Sequence, residues 1–81
     1  MKIKPLFFST LREKFQIGEK EIEVTGSPTA QEVFLNFFQD AERGRRFLHS
    51  TRCAVNCEYV PAETLLKEGD EVAFIPPVSG G

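Results

Sequence analysis

Residues 29–41 carry the pattern that most constrains what this chain can fold into. Thr29-Ala30-Gln31-Glu32 is a capping box, in which a hydroxyl and a carboxylate satisfy each other's orphan backbone amides. From there Ala30, Val33, Phe34, Phe37, Phe38 and Ala41 recur at helical spacing and form one wide apolar stripe. The spacing predicts a single main helix. Its stripe needs a sheet face, because nothing else in the chain offers enough apolar surface to cover it. A second, weaker helical piece containing Phe47 and Leu48 follows, interrupted by Gly44.

The flanking segments supply that sheet. Lys2 to Ser9 reads as a strand ending in Leu6-Phe7-Phe8. Pro5 within it cannot donate to a ladder, so either its nitrogen faces an unpaired side or the strand is locally irregular. Thr10 to Phe15 predicts a short helical turn, with Gly18 closing the loop. Glu19 to Thr25 alternates, with Ile22 and Val24 on one face and Glu21, Glu23 and Thr25 on the other, which predicts a half-buried strand paired with the first. Cys53-Ala54-Val55 is a third strand with Asn56 as its turn residue, and Val60-Pro61 begins a loop. Leu65-Leu66 is expected to pack inward. Lys67-Glu68-Gly69-Asp70 is a tight turn, shaped by Asp70, before the last strand, Glu71 to Ile75. The order β-β-α-β-(short β)-β puts the first and last strands parallel at the centre of a mixed sheet. The expected fold class is α+β: a ubiquitin-like β-grasp with four to five strands on one main helix and a flexible C-terminal tail. The domain would span residues 1–75 and the tail 76–81.

Composition limits the function classes. Eighty-one residues make one domain that buries only about 60–65% of its unfolded surface. With eight Phe, one Tyr and no Trp, the core depends on a few large rings. A net charge of −2 argues against nucleic-acid binding. Apart from proline, the longest apolar run is Val72-Ala73-Phe74-Ile75, far short of the ~18 residues of a spanning helix. With no signal-peptide pattern near Met1, a cytoplasmic protein is expected. Cys53 and Cys57 in an extended strand would stand about 13 Å apart, beyond the ~7 Å reach of a disulfide, although a turn at Asn56 would shorten this. They read as small hydrophobes, and no metal site is expected. Arg43, Arg45 and Arg46, flanked by Asp40 and Glu42, read as a solvated face, or as a patch that steers an acidic partner. His49 has no acid or cysteine motif near it.

The end of the chain is unusual. Pro76-Pro77-Val78-Ser79-Gly80-Gly81 follows a strand with two prolines and closes on two glycines. Prolines favour an extended polyproline II course and resist collapse onto the body. Glycines lack Cβ atoms, so a narrow channel would admit them. Extended, these residues span up to roughly 20 Å, enough to carry a carboxylate into another protein's active site.

Residues 69–81, Gly-Asp-Glu-Val-Ala-Phe-Ile-Pro-Pro-Val-Ser-Gly-Gly, closely resemble the ending of the small, sulfur-carrying subunits of molybdopterin synthase, in the MoaD/ThiS family of ubiquitin-like proteins. Lys4-Pro5-Leu6-Phe7-Phe8, Leu11-Arg12-Glu13 and Ala54-Val55-Asn56 extend the likeness over nearly the whole chain. Pro5 departs from the β-branched residue usual at its place, and Ile75 from an aromatic often found before the prolines. The resemblance implies that an ATP-using adenylyltransferase of the ubiquitin-activating type adenylates the Gly81 carboxylate, and that sulfur then displaces AMP to leave a thiocarboxylate. The carrier would dock on the large synthase subunit, in a heterotetramer, and give its sulfur to a pterin precursor for the molybdopterin dithiolene. It would bind no cofactor and supply no base or metal. Sulfur delivery to the thiamine thiazole, conjugation to protein lysines and a plain interaction module with an inert tail share the fold.

The two central strands have apolar residues on both faces: Phe7 opposite Leu6 and Phe8, Val72 and Phe74 opposite Ala73 and Ile75. One helix stripe covers one face. The other face is expected to dock the partners beside the tail unless the Thr10–Phe15 turn covers it. Phe7, Phe74, Ile75 and Arg12 are the candidate contact residues.

Overall fold

The computed structural model describes residues 1–15 and 20–77. Along the chain lie β1 (Lys2–Phe7), α1 (Ser9–Phe15), β2 (Ile22–Glu23), α2 (Ala30–Asn36), α3 (Ala41–His49), β3 (Arg52–Val55), β4 (Glu58–Val60) and β5 (Glu71–Ile75). The strands form one mixed sheet in the order β2-β1-β5-β3-β4. β5 lies at its centre, parallel to β1 from Lys4↔Glu71 to Phe7↔Phe74 and antiparallel to β3 from Arg52↔Ile75 to Val55↔Val72. This is the ubiquitin-like β-grasp arrangement, with the expected parallel pairing of first and last strands.

Period-two alternation sorts the central strands into two faces. Ile3, Pro5 and Phe7 of β1 point inward with Val72 and Phe74 of β5, and all five are buried. Leu11 of α1 and Ala30, Val33 and Phe34 of α2 close over them. The Phe7 and Phe74 rings stack at 5.5 Å between centroids, and Phe34 meets Phe74 at 4.9 Å. Pro5 is accommodated by strand geometry. Lys4 N–H donates to the Asp70 carbonyl at 2.9 Å, toward β5, so the nitrogen of the next residue faces the β2 side. The ladder with β2 ends at Ile3↔Ile22, before Pro5 is reached.

The capping box forms as expected: Glu32 N–H donates to Thr29 Oγ1 at 3.2 Å, and Thr29 N–H to Glu32 Oε1 at 2.9 Å. The single long helix does not form. α2 stops at Asn36, where Phe37 and Phe38 N–H groups turn to the carbonyls three residues back, and Asp40 then caps a separate α3 through Glu42 and Arg43 N–H at 2.9 and 3.4 Å. Apolar spacing is blind to this local competition for backbone groups. The apolar stripe is therefore divided between α2 and the segment leading into α3, and Ala41 is exposed. Gly44 does not interrupt a helix: it lies buried inside α3, where a Cβ would stand 2.9 Å from Leu35 Cδ2 and 3.1 Å from Phe38 Cγ. It is the point at which α3 approaches α2.

Smaller differences follow the same lines. Ile22 and Val24 are half-buried, as the alternation predicts, but the paired part of β2 is only Ile22–Glu23; Glu19 and Gly18 lie outside the described residues. Leu66 is buried, whereas Leu65 is 63% exposed because its backbone bridges to Thr29 and turns its side chain outward. Cys53 is a buried free thiol; Cys57, at φ 71° in the β3–β4 turn, is exposed and is not a packed hydrophobe. Arg43, Arg45, Arg46 and His49 are all exposed, with Arg46 3.5 Å from Glu42.

Candidate functional site: the open sheet face and the root of the tail

β5 is hydrogen-bonded on both sides, by β1 and β3, so the last residues of the fold leave from the most constrained strand of the sheet. Pro76 is buried and Pro77 exposed, so by burial the body extends through Pro76. Val78, Ser79, Gly80 and Gly81 lie outside the described residues.

The outward sheet face is built from the alternate residues. The register aligns Leu6, Ala73, Ala54 and Tyr59 in one row across four strands. Ile75 and Arg52 pair in the next row, nearer the tail. Leu6, Ala73 and Ile75 are half-buried, Phe8 is 46% exposed and Tyr59 64%. Small residues at the centre and large ones at the rim make a shallow apolar trough that ends at Pro76. α1 does not cover it. Its Leu11 is fully buried in the core and its Phe15 ring packs 4.9 Å from Phe7, which places α1 on the inner face.

Two of the expected contact residues are corrected by this. Phe7 and Phe74 are 1% and 0% exposed and belong to the core, because both point to the helix side. Ile75 stands on the outward face. Arg12 is exposed on α1, where its backbone N–H donates to the Phe8 carbonyl at 3.4 Å. The residues missed are Phe8, Tyr59 and Arg52. Period two separates Phe8 from Phe7 but does not say which faces the helices, since both faces are apolar.

Among the described residues, grooves flank these elements. One of about 380 Å³ lies at the tail root between Ser50, Arg52, Tyr59, Ile75, Pro76 and Pro77. Its edge is the Arg52 guanidinium, whose carbon sits 5.6 Å from the Tyr59 ring centroid. A second, of about 360 Å³, adjoins it on the β3–β4 side and reaches Cys53. Burial, with a smaller contribution from the Glu63 charge, pushes the Cys53 thiol up, away from the reactive thiolate. A third, of about 300 Å³, lies between Lys14, Phe37 and Asp40. Among the described residues no cluster of His, Cys, Asp and Glu could hold a metal ion, and no helix is long and apolar enough to cross a membrane.

A β-grasp body whose central strand runs into a Pro-Pro…Gly-Gly terminus defines a ubiquitin-like carrier type of protein. Comparison with known proteins makes this specific: the chain belongs to the ThiS family, whose model matches residues 6–81. It is 34% identical to the molybdopterin synthase sulfur carrier subunit of Mycobacterium tuberculosis over 100% of this chain and 99% of that one. It is 37% identical to the Escherichia coli protein of the same name, over 98% and 99%. Among solved structures, small archaeal modifier protein 1 (SAMP1) of Haloferax volcanii shares the fold at TM-score 0.78 and 23% identity over the whole of both chains. So does a complex of subunits 1 and 2 of the molybdopterin-converting factor of Helicobacter pylori, at TM-score 0.62 and 22% identity, again over both whole chains.

Proposed function

We propose that this chain is the sulfur carrier of a molybdopterin synthase, with Gly81 as the group that bears the sulfur. The observation that carries the reading is the placement of the terminal glycines. In sequence they follow Pro76-Pro77-Val78-Ser79, and Pro76 and Pro77 leave the central strand beside an outward apolar face that the described helices do not cover. Full-length similarity to sulfur carrier subunits supports it.

The chemistry begins with a poor electrophile, since a carboxylate would have to expel oxide. In the partner adenylyltransferase, a Gly81 carboxylate oxygen attacks the α-phosphorus of ATP and pyrophosphate leaves. The resulting acyl-adenylate has a good leaving group. A sulfur nucleophile attacks the acyl carbon, AMP departs and a thiocarboxylate remains. The charged carrier then docks on the large synthase subunit, where the thiocarboxylate sulfur attacks a carbon of the pterin precursor and displaces an oxygen substituent; water then cleaves the acyl–sulfur bond and returns the Gly81 carboxylate, and two such transfers build the dithiolene. The carrier contributes the tail (Pro77, Val78, Ser79, Gly80 and Gly81, rooted at Pro76) and a docking face of Leu6, Phe8, Ala73, Ile75 and Tyr59, together with Arg12 of α1. Acid–base groups come from the partners.

Intact mass after incubation with a matching adenylyltransferase, ATP and a sulfur source tests this. A gain of about 16 Da, oxygen replaced by sulfur at the terminus, is expected, and deleting Gly81 abolishes it. No gain under conditions that charge a control carrier refutes the reading.

A further inference from the structure

Arg52 is the one cation in the wall of the tail-root groove, and its surroundings are unusual for a surface arginine. It pairs in register with Ile75, one residue before the buried Pro76. It lies over the Tyr59 ring rather than against an acid. Among the described residues no carboxylate pairs with it. A guanidinium resting on an aromatic face keeps its planar fork of donors free, while the stacking restricts its rotamers. Less side-chain entropy is then lost when a carboxylate arrives. The groove it edges, about 380 Å³, is open on the same side as the apolar trough and is otherwise walled by Ile75, Pro76 and Tyr59. An acid on a partner would meet a cation there with apolar neighbours to exclude water.

We propose that the Arg52–Tyr59 pair is a charged latch of the docking face, taking a carboxylate side chain of the large synthase subunit at the root of the tail. This rests on the functional reading above, in which that subunit accepts the tail. The apolar trough supplies area, and Arg52 supplies orientation: a bidentate guanidinium–carboxylate contact beside Pro76 sets which way Pro77 faces the partner. Tyr59 acts through Arg52, as a positioning residue.

Titration calorimetry of the full chain with its matching large subunit, at low and moderate salt, tests the latch. Arg52→Glu is expected to weaken binding at least tenfold at low salt and to flatten its salt dependence. Tyr59→Phe, which keeps the ring face, stays within twofold of wild type. Tyr59→Leu keeps the apolar contact but frees the guanidinium, and weakens binding several-fold with a faster off-rate. An acid-to-lysine change on the subunit that restores binding to Arg52→Glu would identify the partner residue. Unchanged affinity for Arg52→Glu at low salt, with an unaltered unfolding midpoint, overturns the latch. Failure of the wild-type chain to bind the large subunit at all would instead overturn the functional reading, so the two failures are distinct.

Discussion

The Asn56 side-chain amide donates to Asp70 Oδ1 at 3.0 Å, joining the β3–β4 turn to the turn that launches β5. Both side chains are held further by the backbone, since Glu71 N–H donates to Asn56 Oδ1 at 3.1 Å and Lys67 N–H donates to Asp70 Oδ2 at 2.7 Å. Asn56 reaches this position at φ 50°, a left-handed conformation that asparagine tolerates well. Two turns distant in sequence are thus clasped at the end of the sheet opposite the tail. Asp70 is 6% exposed, and its loss removes the two hydrogen bonds that its carboxylate accepts from the Asn56 amide and the Lys67 N–H. Asp70→Ala is expected to destabilise the fold by about 2–3 kcal/mol, measured by urea denaturation.

Gly44 gives a second test of packing. Helix propensity alone predicts that alanine there would stabilise by up to about 1 kcal/mol. The added Cβ would press on Leu35 and on Phe38, whose ring is held by Phe15, Phe34 and Phe47. Gly44→Ala is therefore expected to lower stability by about 1 kcal/mol or more. A gain in the urea midpoint would show that α3 can move away from α2.

The capping box should respond to acid. Hydrogen bonds from the Thr29 backbone N–H, and then from its hydroxyl, hold Glu32 below its usual value of 4.5. The fold prefers the carboxylate, so the contribution of Glu32 is complete above about pH 4.5 and is lost as pH falls through the lowered value. The stability difference between wild type and Glu32→Gln, followed by thermal melts from pH 7 to pH 2, is expected to shrink across that window. In Thr29→Ala, which keeps the backbone N–H and loses only the hydroxyl, the acid dependence attributable to Glu32 is expected to shrink but persist. An unchanged difference at pH 2 would contradict the assignment.

Neighbouring phenylalanines should separate folding from docking. Phe7→Ala removes a fully buried ring in contact with Phe15, Phe37 and Phe74, and is expected to cost about 3–5 kcal/mol. Phe8→Asp changes a 46% exposed side chain on the open face. Its stability should stay within about 0.5 kcal/mol of wild type while affinity for the large subunit falls at least tenfold. Chemical denaturation and calorimetry on the same two variants distinguish the roles.

Patterns confined to a few neighbouring residues were readable in the chain. The capping box, the turn residues Asn56 and Gly69, the alternation of β2 and the bounds of β5 depend on local backbone chemistry, and the structure has them where the residues indicate. The split between α2 and α3 was not readable: the apolar period runs unbroken through Phe38 to Ala41, and the deciding events are two backbone turns and the Asp40 cap. Nor was the docking face. From the residues alone it follows that β1 and β5 are apolar on both sides and that Pro76-Pro77 leads to Gly80-Gly81. Only the tertiary structure decided which side is core. α1 and α2 both close over Phe7 and Phe74, leaving Phe8, Ile75 and Tyr59 outside, because a helical layer buries one face of a sheet and the described residues form no second layer for the other.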